Sequence, residues 1–137
     1  MKKLKVSTEM KKADTVFSQF TRLKEADQNG MVMCCTCGKF LSWRDAHAGH
    51  YIVRQFKNTR YEERNVHAQC CYCNTFLDGN CAEYTKFLEN KYGIDIISDL
   101  LTMKNDTSRS WKAQDYHDIF ITYTIKVEVI KRLKGII

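Results

Sequence analysis

Six of the seven cysteines fall into two tight groups, Cys34, Cys35 and Cys37, then Cys70, Cys71 and Cys73. A tetrahedral zinc ion takes four thiolates, and a turn of the form Cys-x-x-Cys offers two of them at once. The pairs Cys34/Cys37 and Cys70/Cys73 have that spacing. Pairing Cys35 with Cys37 and Cys71 with Cys73 would need an unusual one-residue gap. The first pairs are therefore assigned as ligands of a structural zinc, with Cys35, Cys71 and Cys81 as spare thiols. Gly38 lets the backbone N–H groups after Cys37 turn toward the sulfurs. Buried free thiols would leave two matching pairs to coincidence. Between the pairs, the stretch "DAHAGHYIVRQF" places His47 and His50 three residues apart. Residue type alone leaves them as metal ligands, a catalytic base or core histidines.

Composition narrows the setting. The 137 residues, 44% apolar and 28% charged, suit one soluble domain. No apolar run approaches the roughly 18 residues of a membrane span. The basic start "MKKLKVSTEMKK" lacks the apolar segment of a secretory signal, so a cytoplasmic location is expected. An odd cysteine count in that reducing compartment favours metal thiolates over disulfides. The net charge of +6 is gathered in "KKLK", "RQFKNTR" and "KRLK". A basic surface suits a polyanion through counterion release, but it equally serves solubility. Charge does not decide between them.

These residues need elements to position them. Residues 8–26 carry Ala13, Val16, Phe17, Phe20 and Leu23 at helical spacing, with Ser7 or Thr8 as N-cap, and "DQNG" ends the helix. "MVMCCTCGKF" reads as a hairpin closed by Gly38, "GHYIVRQF" as a strand and "KNTRYEERN" as a mobile loop. From "NTFLDGNCAEYTKFLENKYG" the pattern is helical: Tyr84, Phe87, Leu88 and Tyr92 share a face and Gly93 stops it. "DIISDLLTMK" adds a short helix with Ile97, Leu100 and Leu101 inward. After "NDTSRS", one long helix presents Trp111, Tyr116, Ile119, Phe120, Tyr123, Val127, Ile130 and Leu133, although "IFITYTIKVEVI" is β-branched and locally favours strand. Proline is absent, so no Pro-rich linker divides the chain.

The order CxxC, then "GHYI", then "NVHAQCCYCN" resembles the zinc-bearing His-Asn-His (ββα-metal) nucleases. With "KADTVFSQFTRLKEAD", "AHAGHYI", "TRYEERNVHAQC" and "FLENKYG", the chain more closely resembles the NinG/Rap recombination endonuclease family of lambdoid phages. The resemblance implies an α+β fold, a zinc-stapled ββα-metal core with an N-terminal helix and C-terminal helices. Residues 1–137 would form one nuclease domain: 1–30 the N-terminal helix, 31–93 the zinc core, 94–137 the helical C-terminal region. It also implies a metal-dependent endonuclease acting on branched DNA, such as Holliday junctions and D-loops, in the bacterial host cytoplasm. Symmetric cutting of a junction implies a homodimer, with the last helix as one possible interface. A generic nicking nuclease and a non-catalytic zinc-ribbon DNA-binding module are the competing readings.

The family's roles map onto this chain residue by residue. His50 holds the place of the general base, available as neutral imidazole at cellular pH. Asn74 holds the place of the ligand for the catalytic divalent ion, Mg²⁺ or Mn²⁺, through its amide oxygen. Asn65 is the middle asparagine that ties the loop and positions the histidine. Many relatives carry an acidic or histidine ligand directly before the base, where this chain has Gly49. His47 is then the nearest second ligand, brought round by a bulge at Ala48-Gly49, with Asp45 as fallback. Arg54 would share a strand face with His50 and clamp the scissile phosphate, while Lys57, Arg60 and Arg64 would track the DNA backbone. His67 reads as a residue supporting the zinc pair or lying at the surface, and His117 as helix surface.

Overall fold

The computed structural model describes residues 2–137. Helix α1 (Val6–Lys24) buries the expected stripe, Ala13, Val16, Phe17, Phe20 and Leu23, so the 3.6-residue period of its apolar positions sets its inner face. It starts two or three residues earlier than Ser7 or Thr8 would dictate, with Lys5 as an N-cap that supplies no side-chain hydrogen bond. Its C-terminal carbonyls are served from afar. The Lys134 ammonium donates to the carbonyls of Leu23, Lys24 and Ala26 at 2.7–2.8 Å. A helix end otherwise leaves such acceptors unpaired.

Strands β1 (Met31–Met33) and β2 (Phe40–Ser42) pair antiparallel, and the first cysteine pair sits in the turn between them. Gly38 takes a φ of +79° there and donates its N–H to the Cys34 carbonyl at 2.9 Å. A second antiparallel pair joins β3 (His47–His50) to β4 (Val66–Gln69). The second cysteine pair follows β4, Cys73 lying in a π-helical turn, Tyr72–Phe76. Helices α3 (Cys81–Tyr92), α4 (Ile96–Lys104) and α5 (Ala113–Lys134) complete a mixed α+β chain of helices and two small sheets. Short helix α2 in this order is Lys57–Arg60.

Two apolar clusters hold these pieces. The larger lies where α5 packs along α1 in the same direction, His117 beside Glu9 at one end and Lys134 beside Leu23 at the other. Phe17 and Phe20 meet Tyr123 edge-on, with ring centroids 4.8 Å apart in both pairs. The smaller cluster joins Ile52 to Tyr84, Leu88, Ile96 and Leu100. Among the described residues, no helix is long and apolar enough to cross a membrane.

Several sequence expectations need correction. The strand ends where it was expected to begin: Tyr51 and Ile52 turn away because the buried Asn65 amide takes both the N–H and the carbonyl of Ile52. The stretch read as a mobile loop holds α2 and a 3₁₀ turn (Glu63–Asn65), with Thr59 and Asn65 fully buried. The helix expected from Asn74 breaks at Asp78, Gly79 and Asn80, which all take left-handed φ values of 49–92°. In α4 it is Ile96 that is buried while Leu101 is exposed. In α5, one helix as expected, Leu133 faces solvent at 80% exposure. His67 lies in the core, its Nε2 2.8 Å from the Tyr92 hydroxyl, and His117 is half-buried against Glu9.

Candidate active site

The four assigned cysteines converge. Their sulfurs all lie within 4.8 Å of one another, Cys34, Cys70 and Cys73 buried and Cys37 at the surface. Four thiolates about 2.3 Å from a central zinc stand roughly 3.8 Å apart. The Cys37 and Cys70 sulfurs are 3.7 Å apart. Supporting donors surround them: the Cys73 N–H points at the Cys70 sulfur at 3.4 Å, and Asn80 Nδ2 at the Cys73 sulfur at 3.7 Å. The residues therefore fit a structural zinc, which would staple the β1–β2 hairpin to the end of β4. Cys71 and Cys81 are exposed and stand outside the group.

A cleft of about 590 Å³ opens between α1 and β3. It gathers His47, His50, Arg54, Arg60 and Asn74 of the sequence-assigned residues. Asn65 stands behind it. The Asn65 amide accepts from the Ile52 N–H at 2.8 Å and donates to the carbonyls of Ile52 and Thr59 at 3.0 and 3.1 Å. That fixes the segment which ends in Arg60, and the Arg60 carbonyl lies 3.0 Å from His50 Nε2. A carbonyl can only accept, so Nε2 carries the proton and Nδ1 keeps its lone pair. Burial pushes the His50 imidazole down to about 4, aided by the Arg54 charge and opposed by the Arg60 carbonyl. At neutral pH His50 is a neutral imidazole with Nδ1 unprotonated, and the Ala48 carbonyl also lies near the ring.

His47 and Asn74 meet directly. Asn74 Nδ2 donates to His47 Nδ1 at 3.0 Å, both side chains half-buried at the cleft wall. The register His47↔Gln69, Ala48↔Ala68, Gly49↔His67, His50↔Val66 runs unbroken, so no bulge is present. β3 pairs with β4 alone, and both of its histidines line the cleft. Gly49 is there for a packing reason. A Cβ at this position would come within 2.6 Å of Gln69 Cδ, and Gln69 is itself fully buried. Its Nε2 donates to Thr36 Oγ1 and to the Gly79 carbonyl, tying the first cysteine turn to the cleft rim.

Asp45 is exposed and outside the cleft, whereas Asp78 lines it close to Asn74. Asp14 was missed by the sequence reading. It accepts from Arg60 Nε and Nη2 and from the Tyr61 hydroxyl, the last at 2.8 Å. Burial alone would raise its carboxyl; the Arg60 and Tyr61 hydrogen bonds outweigh that and hold it below the usual range. The Arg60 guanidinium, which also donates to the Arg54 carbonyl at 2.8 Å, thereby has a partner at each of its three nitrogens. Arg54 is the cleft arginine left facing solvent, at 60% exposure and 3.9 Å from Asp14. Lys57 lies in a separate depression with Lys104 and Arg109, and Arg64 pairs with Glu62. A signal for Asp14 did exist: Asp14, Ser18 and Arg22, four residues apart, form a polar line beside the apolar stripe of α1, and all three line the cleft.

Residues 1–134 match the family model of NinG, the Bacteriophage Lambda NinG protein. The chain belongs to the NinG family. No curated protein and no solved structure matched it. The match spans the zinc cysteines, both cleft histidines, Asn65, Asn74 and the newly found Asp14, so the whole cleft of this NinG-family chain lies within the family region.

Proposed function

We propose that this chain is a metal-dependent, structure-selective DNA endonuclease with a zinc-stapled ββα-metal core, cutting phosphodiesters in branched recombination intermediates. One observation carries the reading. A half-buried neutral imidazole with an unprotonated Nδ1 shares a cleft with a His47–Asn74 pair 3.0 Å apart. A zinc-ribbon binding module has no use for that combination.

In this reading His50 Nδ1 accepts a proton from water, the resulting hydroxide attacks phosphorus, and the bond to the 3′-oxygen breaks. The Arg60 carbonyl holds the ring in the required tautomer, and Asn65 holds the segment that presents that carbonyl. With the Asn74 amide turned so that its oxygen, rather than the N–H it now points there, faces His47 Nδ1, the two side chains would offer a cation one lone pair each. A divalent ion there, Mg²⁺ or Mn²⁺, would neutralise charge on the phosphate and on the leaving oxygen. Arg54 can reach a non-bridging phosphate oxygen from the rim. The branched substrate rests on the family resemblance, and paired nicks across a junction would require two chains.

The test is cleavage of a synthetic four-way junction beside a linear duplex of the same sequence, with Mg²⁺ and with chelator. Mg²⁺-dependent cutting confined to the junction is expected. Equal cutting of both would mean a generic nicking nuclease, and binding without cutting a non-catalytic module.

A further inference from the structure

Helix α5 buries Tyr116, Tyr123 and Val127 against α1. Ile125 stands two residues from both Tyr123 and Val127, about 200° around the helix, and so points directly away from the core. It is 60% exposed. Ile121 and Val129, one turn to either side, are 45% and 48% exposed. Three β-branched apolar residues therefore form an outward stripe that the fold of one chain leaves uncovered. An outward helix face is ordinarily polar.

The ends of the stripe say what covers it. Asp118 and Arg132 lie seven residues, or two turns, on either side of Ile125 and share its face. Both are exposed, and neither has an ion-pair partner among the described residues; Asp118 accepts only from Gln114 Nε2, at 2.8 Å. A second α5 laid antiparallel on the first, with the two-fold axis at Ile125, sets Ile125 against Ile125, Ile121 against Val129 and Asp118 against Arg132. The three apolar residues meet apolar ones, Asp118 and Arg132 meet about 10 Å from the axis, and Glu128 at the flank faces Thr122. A parallel pair would oppose Asp118 to Asp118 and Arg132 to Arg132. Self-complementarity about a two-fold axis is what an isologous dimer requires.

We propose that the chain forms a homodimer through the antiparallel pairing of the outer faces of α5, centred on Ile125. The pairing holds whether or not the chain cuts DNA. A single helix pair is small for an interface, so micromolar dissociation is expected.

Sedimentation equilibrium on the full zinc-loaded chain tests this, with circular dichroism to follow the fold. The native chain should shift to twice its monomer mass across the micromolar range. Ile125→Asp should stay monomeric with unchanged helix content, since its side chain lies outside the core. Asp118→Arg and Arg132→Asp should each weaken association about tenfold, and the double exchange should restore it. A native chain that stays monomeric, an Ile125→Asp chain that still dimerises, or a double exchange no better than the singles would each overturn the proposal.

Discussion

The Arg60 backbone carbonyl accepts the Nε2–H of His50 at 3.0 Å, across ten residues of chain. This contact sets the imidazole tautomer and leaves Nδ1 unprotonated. It depends on a segment whose path is set by the buried side chain of Asn65, so in the proposed mechanism Asn65 is a positioning residue.

Asn65→Ala removes three hydrogen bonds from a fully buried amide and leaves the Ile52 N–H and carbonyl unpaired, while the Thr59 carbonyl keeps the Glu62 N–H. A loss of about 2–4 kcal/mol is expected in urea unfolding. Cleavage should also fall further than the unfolded fraction explains. Unchanged stability would show that the loop is held by something else.

Gly49→Ala should destabilise the chain by about 1–3 kcal/mol, because the new methyl group displaces Gln69 from Thr36 and Gly79. Thermal unfolding of the zinc-loaded protein checks this. An alanine variant as stable as the native chain would mean that Gln69 has room to move.

Metal analysis should find one tightly held zinc per chain. Serine at Cys34, Cys37, Cys70 or Cys73 should lose the ion, and the buried positions should lose folded structure with it. Serine at Cys71 or Cys81 should leave both intact. Zinc that survived loss of Cys70 would refute the ligand set.

Burial, with Lys24 and Lys91 nearby, pushes His67 down to about 3. The unfolded chain, with an ordinary histidine near 6.5, binds a proton that the folded chain refuses. Stability is therefore present above about pH 6.5 and falls as the pH drops toward 3, by about 1.4 kcal/mol per pH unit for this proton. His67→Phe should flatten that acid slope by one proton, even if loss of the Tyr92 hydrogen bond lowers stability at pH 7. An unchanged slope in denaturant titrations across that range would rule out the buried neutral imidazole.

What the sequence disclosed follows its local physics. Apolar spacing placed the inner faces of α1 and most of α5, because helical periodicity is written residue by residue. Cysteine spacing placed the four-cysteine group for the same reason. The end of β3 was not legible, since the amide that turns Ile52 aside lies thirteen residues further on. The break at Asp78–Asn80 was hidden too: Asp and Asn tolerate left-handed backbone, but their presence does not require it. Asp14 stood on a polar line of α1 that could be read from its spacing, but its pairing with Arg60, forty-six residues away, could not. The stripe Ile121, Ile125 and Val129, which as β-branched residues weakened the helix reading, is found on the outward face of α5.

The most direct test of the central claim is Mg²⁺-dependent cleavage of a four-way junction by His50→Ala, with zinc content and circular dichroism measured on the same sample. The account predicts a loss of at least about 10²-fold in rate with zinc and fold retained. Cleavage at the native rate by that variant would contradict it.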